Sequence, residues 1–396
     1  MRPFLYRNAC TELATARAPL RHGDVFRLSE KNQLRTVDEK IKNPAPARAA
    51  VEEAGKVALK DLDVQGITAL VVSLAEKPFR ARQIAEWLFQ HNVSSFEQMT
   101  NLPKAFRDKL RQHALIDTLS PAYEQRSQTD GTRKFLFRLR DGLKIESVLM
   151  FDEERVTLCI STQVGCALDC RFCATGLMGL QRHLTPGEII DQVLLSERIA
   201  GVRITNLVVM GMGEPLHNYD NLMQALSVLT SPQGFALSKK RVVVSTSGLV
   251  AKIERLIAEG RKYRLAISLN ATTDAMRSKL MPVNQRWPIS ELLAAARNYA
   301  DASKTRITIE YVLLDGMNDT PEDARRLMKL VTGLRCKVNL IPYNTTYREF
   351  ARPAEERILR FYREMKNCPV PVTIRWSKGR DIDAACGQLI TKEQGT

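Results

Sequence analysis

The residues best suited to chemistry are cysteines, four of which lie within the stretch TLCISTQVGCALDCRFCATG. Cys166, Cys170 and Cys173 have the spacing C-x3-C-x2-C, and Cys159 precedes them. Three thiolates at such short spacing can hold a soft metal. In a structural zinc site they need a fourth ligand, which Cys159 or His183 could supply. In a [4Fe-4S] cluster they leave one iron open.

The context of these cysteines favours the cluster. They follow the strand-like segment RVTLCIST, and Phe172 stands directly before the last of them. Zinc knuckles and ribbons usually use pairs of C-x2-C rather than a C-x3-C-x2-C run at the end of a strand. The spacing and the position therefore indicate an iron-sulfur site more strongly than a zinc site.

Further polar residues stand where other predicted strands end. The segment VVMGMGEPLHN follows the second strand, and its glycines let the backbone approach a ligand closely. The segments STSG, SLNA and NLIPYN end the third, fourth and sixth strands. Taken alone, Ser245, Ser268, Asn270 and Asn344 are each typical of a helix cap or a turn, but together at one rim they predict a ligand site. With their neighbours in these segments they form what we call the strand-end set: Gly213, Glu214, Ser245, Ser268, Leu269, Asn270 and Asn344.

The elements that must position these residues alternate between strand and helix from residue 155 to about residue 375. Six near-continuous apolar strands, each followed by a helix-like run, predict a parallel sheet covered by helices. The expected fold class is α/β, a partial (βα)6 barrel with its chemistry at the carboxyl ends of the strands. Thr185 and Thr320 each precede a proline, with an acidic residue three positions after the threonine, which predicts two capped helix starts.

The chain before the barrel divides into three predicted segments. Residues 1–60 have weak periodicity and are expected to be a basic, flexible extension. Residues 61–120 have apolar residues at helical spacing, which predicts a small helical accessory domain. Residues 121–154 alternate apolar and polar residues around two Asp-Gly turns, which predicts a β-meander leading into the core at residues 155–391. The accessory cations either face nucleic acid or are solvated helix surface: Arg80, Arg82, Lys104, Arg107, Lys109 and Arg111.

The composition bounds the function. A net charge of +15 over 396 residues favours a polyanionic partner such as RNA, and most of the excess lies beyond residue 60. The chain has neither an apolar run long enough to span a bilayer nor an apolar secretory segment, so we expect a cytoplasmic protein without a membrane partner, and a monomer. Eight cysteines in a chain expected to be cytoplasmic, four of them clustered, argue against a disulfide framework.

One more cysteine stands apart, in RDIDAACGQL near the carboxyl end of the chain. Small residues flank Cys386 on both sides. A cysteine in such surroundings is more often a small buried apolar residue than an accessible thiol. Cys10, Cys336 and Cys368 match no motif.

These motifs together carry a resemblance. The cysteine loop resembles that of the radical S-adenosylmethionine (SAM) enzymes, and its combination with GMGEPL, STSG, NLIPYN and DIDAACGQL resembles the RlmN family of RNA methyltransferases from about residue 61 to residue 391. The resemblance implies that Cys166, Cys170 and Cys173 hold a [4Fe-4S] cluster whose fourth iron is chelated by SAM. It also implies that Glu214 takes the SAM amino group and that the rest of the strand-end set contacts SAM. An electron from the cluster then cleaves SAM to give a radical.

The resemblance further implies methylation of adenosine C2 in 23S rRNA and in tRNA, with two SAM molecules per turnover. In that family a cysteine matched by Cys386 carries the methyl group as S-methylcysteine, and a second one, matched by Cys159, resolves the covalent adduct with RNA. A carboxylate matched by Glu146 removes the C2 proton. A flavodoxin or ferredoxin is the expected electron donor. The family usually has histidine where this chain has Asn270.

Two alternatives stay open at this point. Related Cfr-type enzymes methylate adenine at C8 and share these cysteines, so the motifs do not separate the two products. A non-catalytic, zinc-stabilised nucleic-acid-binding protein would use the same cysteine loop for structure alone.

Overall fold

A computed structural model describes residues 55–346 and 349–390. Cys10 and nearly all of the extension predicted over residues 1–60 lie outside the described residues. The first described elements form the small helical region, and two of its ends pair as parallel strands. Its elements are β1 (Val57–Ala58), α1 (Val64–Ser73), α2 (Arg80–Phe89), α3 (Lys104–His113) and β2 (Ala114–Leu115).

The helices of this region form because each has one apolar face. In α2 the buried residues Ala81, Ile84, Ala85 and Leu88 follow helical spacing. Helix α1 begins after Asp63, whose side chain accepts a hydrogen bond from the Gly66 amide at 2.7 Å. The apolar faces of these helices belong to a hydrophobic core that continues into that of the sheet.

A ten-stranded sheet forms the rest of the scaffold, with the strand order β14-β13-β12-β11-β10-β9-β6-β5-β4-β3. The predicted meander is its antiparallel edge, and β5 pairs with the first barrel strand so that Val148 lies opposite Cys159. The remaining pairs in this sheet, from β6 to β14, are parallel. The strands are β3 (Leu119–Arg126), β4 (Arg133–Leu139), β5 (Lys144–Asp152), β6 (Arg155–Cys159), β9 (Asn206–Val209), β10 (Val242–Thr246), β11 (Arg264–Ser268), β12 (Ile307–Leu313), β13 (Cys336–Pro342) and β14 (Val372–Ile374).

Helices cover the parallel part of the sheet, and a two-stranded hairpin, β7 (Gln163–Gly165) with β8 (Leu180–His183), brackets the cysteine loop. The α/β prediction and its six parallel strands are confirmed. A seventh parallel strand, β14, was not predicted. The helices are α4 (Ala174–Leu177), α5 (Pro186–Ala200), α6 (Tyr219–Thr230), α7 (Val250–Ala258), α8 (Asp274–Leu280), α9 (Ile289–Ser303), α10 (Pro321–Val331) and α11 (Glu355–Glu364).

Both predicted helix starts have the expected capping. The Thr185 hydroxyl accepts from the Glu188 amide at 3.2 Å, and the Thr320 hydroxyl accepts from the Asp323 amide at 3.1 Å. In each case the acidic side chain reaches back to the threonine amide. Across the described ranges, no helix is both long and apolar enough to cross a membrane.

Candidate active site

A cavity lies at the carboxyl ends of the parallel strands, where the barrel prediction places the chemistry. It brings together the three spaced cysteines and most of the strand-end set, contributed by separate loops of the barrel. The predicted residues in its wall are Cys166, Cys170, Cys173, Gly213, Glu214, Ser245, Ser268, Asn270, Asn344 and Cys386. The cavity wall therefore carries thiols together with hydroxyl, amide and carboxyl groups.

The three spaced cysteines are free thiols in the loop between β7 and β8. The Cys166 amide donates to the Gly179 carbonyl at 3.0 Å, which closes the loop at its base. Burial, and then the neighbouring Cys173 thiol, raise the pKa of Cys170 to about 12, and burial raises the pKa of Cys166 well above its usual value. Such thiols ionise only when a bound cation stabilises the thiolate.

This donor set fits an iron-sulfur cluster. Its three soft donors lie in one cavity wall, and each thiolate of a cluster ligates a different iron. Within residues 55–346 and 349–390, no group of three or more His, Cys, Asp or Glu side chains is arranged to hold a metal ion. His183 does not join the cysteines: its Nδ1 lies 2.9 Å from Gln163 Nε2 and its ring packs against His217. Burial lowers the pKa of His183 to about 4, so its imidazole is neutral at pH 7.

The segment after β9 holds Glu214 tightly. Gly213 has φ +100°, a conformation that glycine tolerates, and the Glu214 amide donates to Gln163 Oε1 at 2.8 Å. The Glu214 carboxylate accepts from the Leu216 amide at 3.1 Å and from the Ser247 amide at 2.8 Å. Burial nevertheless raises the pKa of Glu214 above its ordinary value. A fixed, desolvated carboxylate of this kind is suited to an ammonium ligand.

Asn270 stabilises the rim rather than presenting free amide groups. Its φ of 58° lies in the left-handed region, where asparagine is among the favoured residues. Its Oδ1 accepts from the Val312 amide at 2.9 Å, and its Nδ2 contacts Met281 Sδ at 3.3 Å. Leu269 is not in the cavity wall: its side chain is fully buried and its amide donates to the Glu310 carbonyl at 3.0 Å.

Asn344 joins the strand-end set to the Cys386 loop. Its Nδ2 donates to the Cys386 carbonyl at 3.3 Å and to the Ser377 hydroxyl at 2.9 Å. Its Oδ1 is buried and has no hydrogen-bond partner among the described residues. A buried acceptor without a partner costs free energy, which a ligand with an N–H or O–H donor would recover. The cavity therefore fits a polar cofactor such as SAM.

A second hollow adjoins this cavity and contains both of the remaining cysteines of interest. Its wall includes Cys159, Met210, Arg375 and Cys386, and the last three also line the first cavity. Burial, followed by the proximity of Cys386, raises the pKa of Cys159 to about 12, and the Arg375 guanidinium opposes that rise. Two thiols from distant parts of the sequence thus share one hollow beside the cavity of the three spaced cysteines.

Glu146 lies on β5 in a third hollow, which also contains residues of the Cys386 loop. Its Oε1 lies 3.2 Å from Lys134 Nζ, and its Oε2 accepts from the Ile390 amide at 3.0 Å. Burial raises the pKa of Glu146, and Lys134 opposes that rise. The carboxylate is therefore close to the Cys386 loop but outside the wall of the first cavity.

Sequence reasoning missed three charged residues of this region. Arg277 is fully buried and donates to the Ser247 carbonyl at 2.6 Å and to the Ser268 carbonyl at 3.3 Å, so it ties two strand ends together. Glu310 and Arg375 line the cavity. A glutamate inside the apolar run of β12 was the available signal for Glu310, whereas no such run marks Arg375, which follows the short strand β14.

The cations of the helical region have mixed surroundings. The side chains of Arg82 and Lys104 have no hydrogen bond or ion pair in the part of the chain that the structure describes. The other four make contacts within the protein: Arg80 with the Asn101 carbonyl, Arg107 and Arg111 with Glu97, and Lys109 with Leu74 and Glu76.

Comparisons with known proteins agree with this geometry. Residues 57–116 match the family model of the ribosomal RNA large subunit methyltransferase N-terminal domain, and residues 160–331 match that of the radical SAM superfamily. A radical SAM methyltransferase from Sphaerobacter thermophilus has a crystal structure similar to this chain, with a TM-score of 0.82 and 44% identity. The similarity covers 85% of this chain and 100% of that one.

Two relatives with assigned names are similar over most of their length. The dual-specificity RNA methyltransferase RlmN of Syntrophotalea carbinolica is 47% identical, over 86% of this chain and 91% of the relative. The protein of the same name from Anaeromyxobacter dehalogenans is 49% identical, over 84% of this chain and 91% of the relative. Fold and site define a radical SAM enzyme. The chain belongs to the RlmN family of dual-specificity RNA methyltransferases.

Proposed function

We propose that this enzyme methylates C2 of adenosine in 23S rRNA and in tRNA, and that Cys386 carries the methyl carbon to the base. The observation that carries the proposal is the shared hollow of Cys159 and Cys386, which adjoins the cavity of the three spaced cysteines. A single reactive thiol would suffice for a simple carrier. Two thiols in one hollow are needed only if one of them releases what the other has bound.

Cys166, Cys170 and Cys173 would hold the [4Fe-4S] cluster, and Glu214 and Asn344 would hold SAM. When bound, these groups supply the methyl carbon and the one-electron chemistry that makes the methyl group of S-methylated Cys386 reactive toward carbon. A flavodoxin or ferredoxin would supply the electron. The chain itself must then position the base, remove a proton and release the product.

Proton removal falls to Glu146. Joining the methylene carbon on Cys386 to C2 leaves an unpaired electron on the base, so the C2 hydrogen would leave as a proton and one electron would pass back to the bound cluster. The buried carboxylate accepts from the Ile390 amide, four residues beyond Cys386, so it is placed beside the loop that carries the adduct. Burial raises its pKa, which makes it a stronger base than an exposed glutamate.

Product release falls to Cys159. Its thiolate would attack the sulfur of Cys386, so that a sulfur–sulfur bond forms while the bond from sulfur to the methylene carbon breaks. The electron pair of the broken bond stays with the base, where a proton completes the methyl group. Arg375 favours the thiolate form of Cys159, whose pKa is otherwise raised by burial. The resulting disulfide must be reduced by a thiol reductant before the next turnover.

Each segment of the chain would have its own role in this function. We assign residues 61–120, together with Val57–Ala58, which already pair with β2, to an RNA-binding accessory domain. Residues 121–154 form the edge of the sheet next to the site, and residues 155–391 form the catalytic core. The enzyme would act as a cytoplasmic monomer, and its RNA affinity would fall steeply with salt because phosphate contacts release counterions.

Two variants test the function. Cys386→Ala should abolish both protein methylation and 2-methyladenosine. Cys159→Ala should still methylate Cys386 and accumulate a covalent protein–RNA adduct, visible as a shifted band on a denaturing gel. Cys368→Ala is the matched control, since Cys368 is half-buried and lies outside both hollows. Nucleoside mass spectrometry that finds 8-methyladenosine instead would select the Cfr-type reaction.

A further inference from the structure

Glu310 is a buried carboxylate with an unused acceptor in the wall of the first cavity. It lies on β12, and its Oε1 accepts from Asn339 Nδ2 on the neighbouring strand at 3.1 Å. Its Oε2 is buried without a hydrogen-bond partner among the described residues. Leaving a buried carboxylate oxygen unpaired is costly, so its placement here indicates a ligand that donates a hydrogen bond to it.

Arg375 is a cation with unused donors in the same wall. It follows the short strand β14 directly, and its amide donates to the Leu340 carbonyl at 2.8 Å. Its guanidinium makes one hydrogen bond within the described residues, from Nη1 to Met210 Sδ at 3.7 Å. A guanidinium has five N–H donors, and this one borders both the first cavity and the hollow of Cys159.

The charges of these groups influence one another's pKa values. Cys386, followed by Glu310 and Cys159, raises the pKa of Arg375, while burial opposes them. Arg375 in turn opposes the rise that burial causes in the pKa of Glu310. The guanidinium therefore lies close enough to Cys386, Glu310 and Cys159 to interact electrostatically with each of them.

We propose that Glu310 and Arg375 form the subsite that recognises the Watson–Crick edge of the target adenine, with Glu310 accepting from the N6 amino group and Arg375 donating to N1. This inference rests on the proposed function. Adenine presents a donor at N6, an acceptor at N1 and then the C2 carbon along that edge. In the wall of one cavity the chain presents an acceptor in Glu310, a donor in Arg375 and the carbon carrier Cys386. Enzymes that act on an extruded base commonly read this edge.

The subsite would determine both which carbon of the purine reacts and which nucleobase is accepted. C2 adjoins N1, whereas C8 lies on the opposite side of the purine, so binding through N6 and N1 directs C2 toward Cys386. Guanine would place its O6 acceptor against Glu310 and its N1–H donor against Arg375, which leaves both buried groups unpaired. A charged donor at N1 also withdraws electron density from the adjacent C2.

The test compares target bases within one enzyme, because a rate ratio does not depend on the fraction of folded protein. RNA substrates carry adenosine, purine riboside (without the N6 amino group) or 1-deazaadenosine (without N1) at the target position. For the unmodified enzyme we expect each analogue to react about tenfold or more slowly under single-turnover conditions. In Glu310→Met the penalty for purine riboside should disappear while that for 1-deazaadenosine remains. In Arg375→Met the reverse should hold.

The outcomes distinguish a failure of the proposed function from a failure of the proposed adenine subsite. If the unmodified enzyme makes no 2-methyladenosine, the proposed function fails. If it does, but each variant keeps both analogue penalties, the subsite is wrong. SAM affinity of the cluster-loaded enzyme, measured by equilibrium dialysis, is the second readout. A tenfold loss of SAM affinity in Glu310→Met would assign Glu310 to the cofactor and overturn the proposal, and unchanged affinity supports it. Glu310→Gln, which keeps an acceptor, should restore most of the discrimination at N6.

Discussion

Asn344 donates a hydrogen bond to the carbonyl oxygen of Cys386 at 3.3 Å, so a residue of the cavity wall holds the loop of Cys386. Two further bonds tie that loop to the cysteine loop: the Ala174 amide donates to the Gly387 carbonyl at 2.8 Å, and the Thr175 hydroxyl donates to the Leu389 carbonyl at 2.6 Å. The order of the Cys386 loop therefore depends on the residues that surround the cofactors.

Asn344→Ala should loosen the Cys386 loop and weaken SAM binding together. One lost hydrogen bond of about 1 kcal/mol corresponds to about a fivefold increase in local opening. Hydrogen–deuterium exchange should rise by that factor at residues 384–390 and stay unchanged in α9, which serves as the internal control. SAM affinity should also fall, because the variant removes the unpartnered Oδ1. Unchanged exchange in the loop would contradict the tether.

The acidic limb of the pH–rate profile for adduct breakdown should report the ionisation of Glu146. The base works only when ionised, so the rate falls as pH falls through its pKa, which burial raises above that of an ordinary glutamate. Lys134 opposes that rise, so Lys134→Met should move the limb to higher pH. The measurement is single-turnover release of methylated RNA across a pH series.

Lys144→Met is the matched control for that series, since Lys144 lines the same hollow but forms no ion pair with Glu146 in the described residues. Its acidic limb should coincide with that of the unmodified enzyme. In Glu146→Gln the adduct should persist at every pH. If the acidic limb of the pH–rate profile does not shift in Lys134→Met, another group removes the proton.

The barrel was predictable because its signals are local. Continuous apolar strands, helical periodicity and the caps at Thr185 and Thr320 depend on neighbours within a few residues. The short strand β14 carries no such pattern, since only its pairing with β13 makes it a strand, with Val338 opposite Val372. Arg375 at its end was missed for that reason.

The site was predictable only in part. The spacing of the three cysteines indicates a cluster, but the roles of Cys159 and Cys386 came from family resemblance. Composition and spacing contain no information on which thiols share a hollow. The unpartnered oxygen of Glu310 likewise depends on tertiary packing, because packing decides whether a hydrogen-bond donor reaches it.

Lys60 should be essential for docking the helical region. Its side chain is fully buried and pairs with Asp191 and, at 2.8 Å, with Asp117. Lys60→Met leaves the buried Asp191 uncompensated, which should lower the free energy of unfolding by about 3–5 kcal/mol. Chemical denaturation measures the loss.

Two further variants make that result specific. Lys104→Met removes a cation from an exposed site without a partner in the described residues, so its stability should be within about 0.5 kcal/mol of the unmodified enzyme. Lys60→Met combined with Asp191→Asn removes the uncompensated charge and should recover part of the loss. Equal losses in the two lysine variants would show that the buried pair contributes nothing specific.

Gly213→Ala should damage SAM binding through crowding rather than through backbone strain alone. A Cβ at this position would lie 2.6 Å from Gln163 Cβ, and the backbone has φ +100°. Gln163 must then shift, and with it the Glu214 amide that donates to its Oε1.

Gly260→Ala is the matched control, because φ is +64° and an added Cβ meets nothing within 4 Å. Both variants should lose about 1 kcal/mol or more of stability from the left-handed backbone, but only Gly213→Ala should lose SAM affinity in equilibrium dialysis. Equal SAM affinity in the two variants would show that the position of Glu214 does not determine cofactor binding.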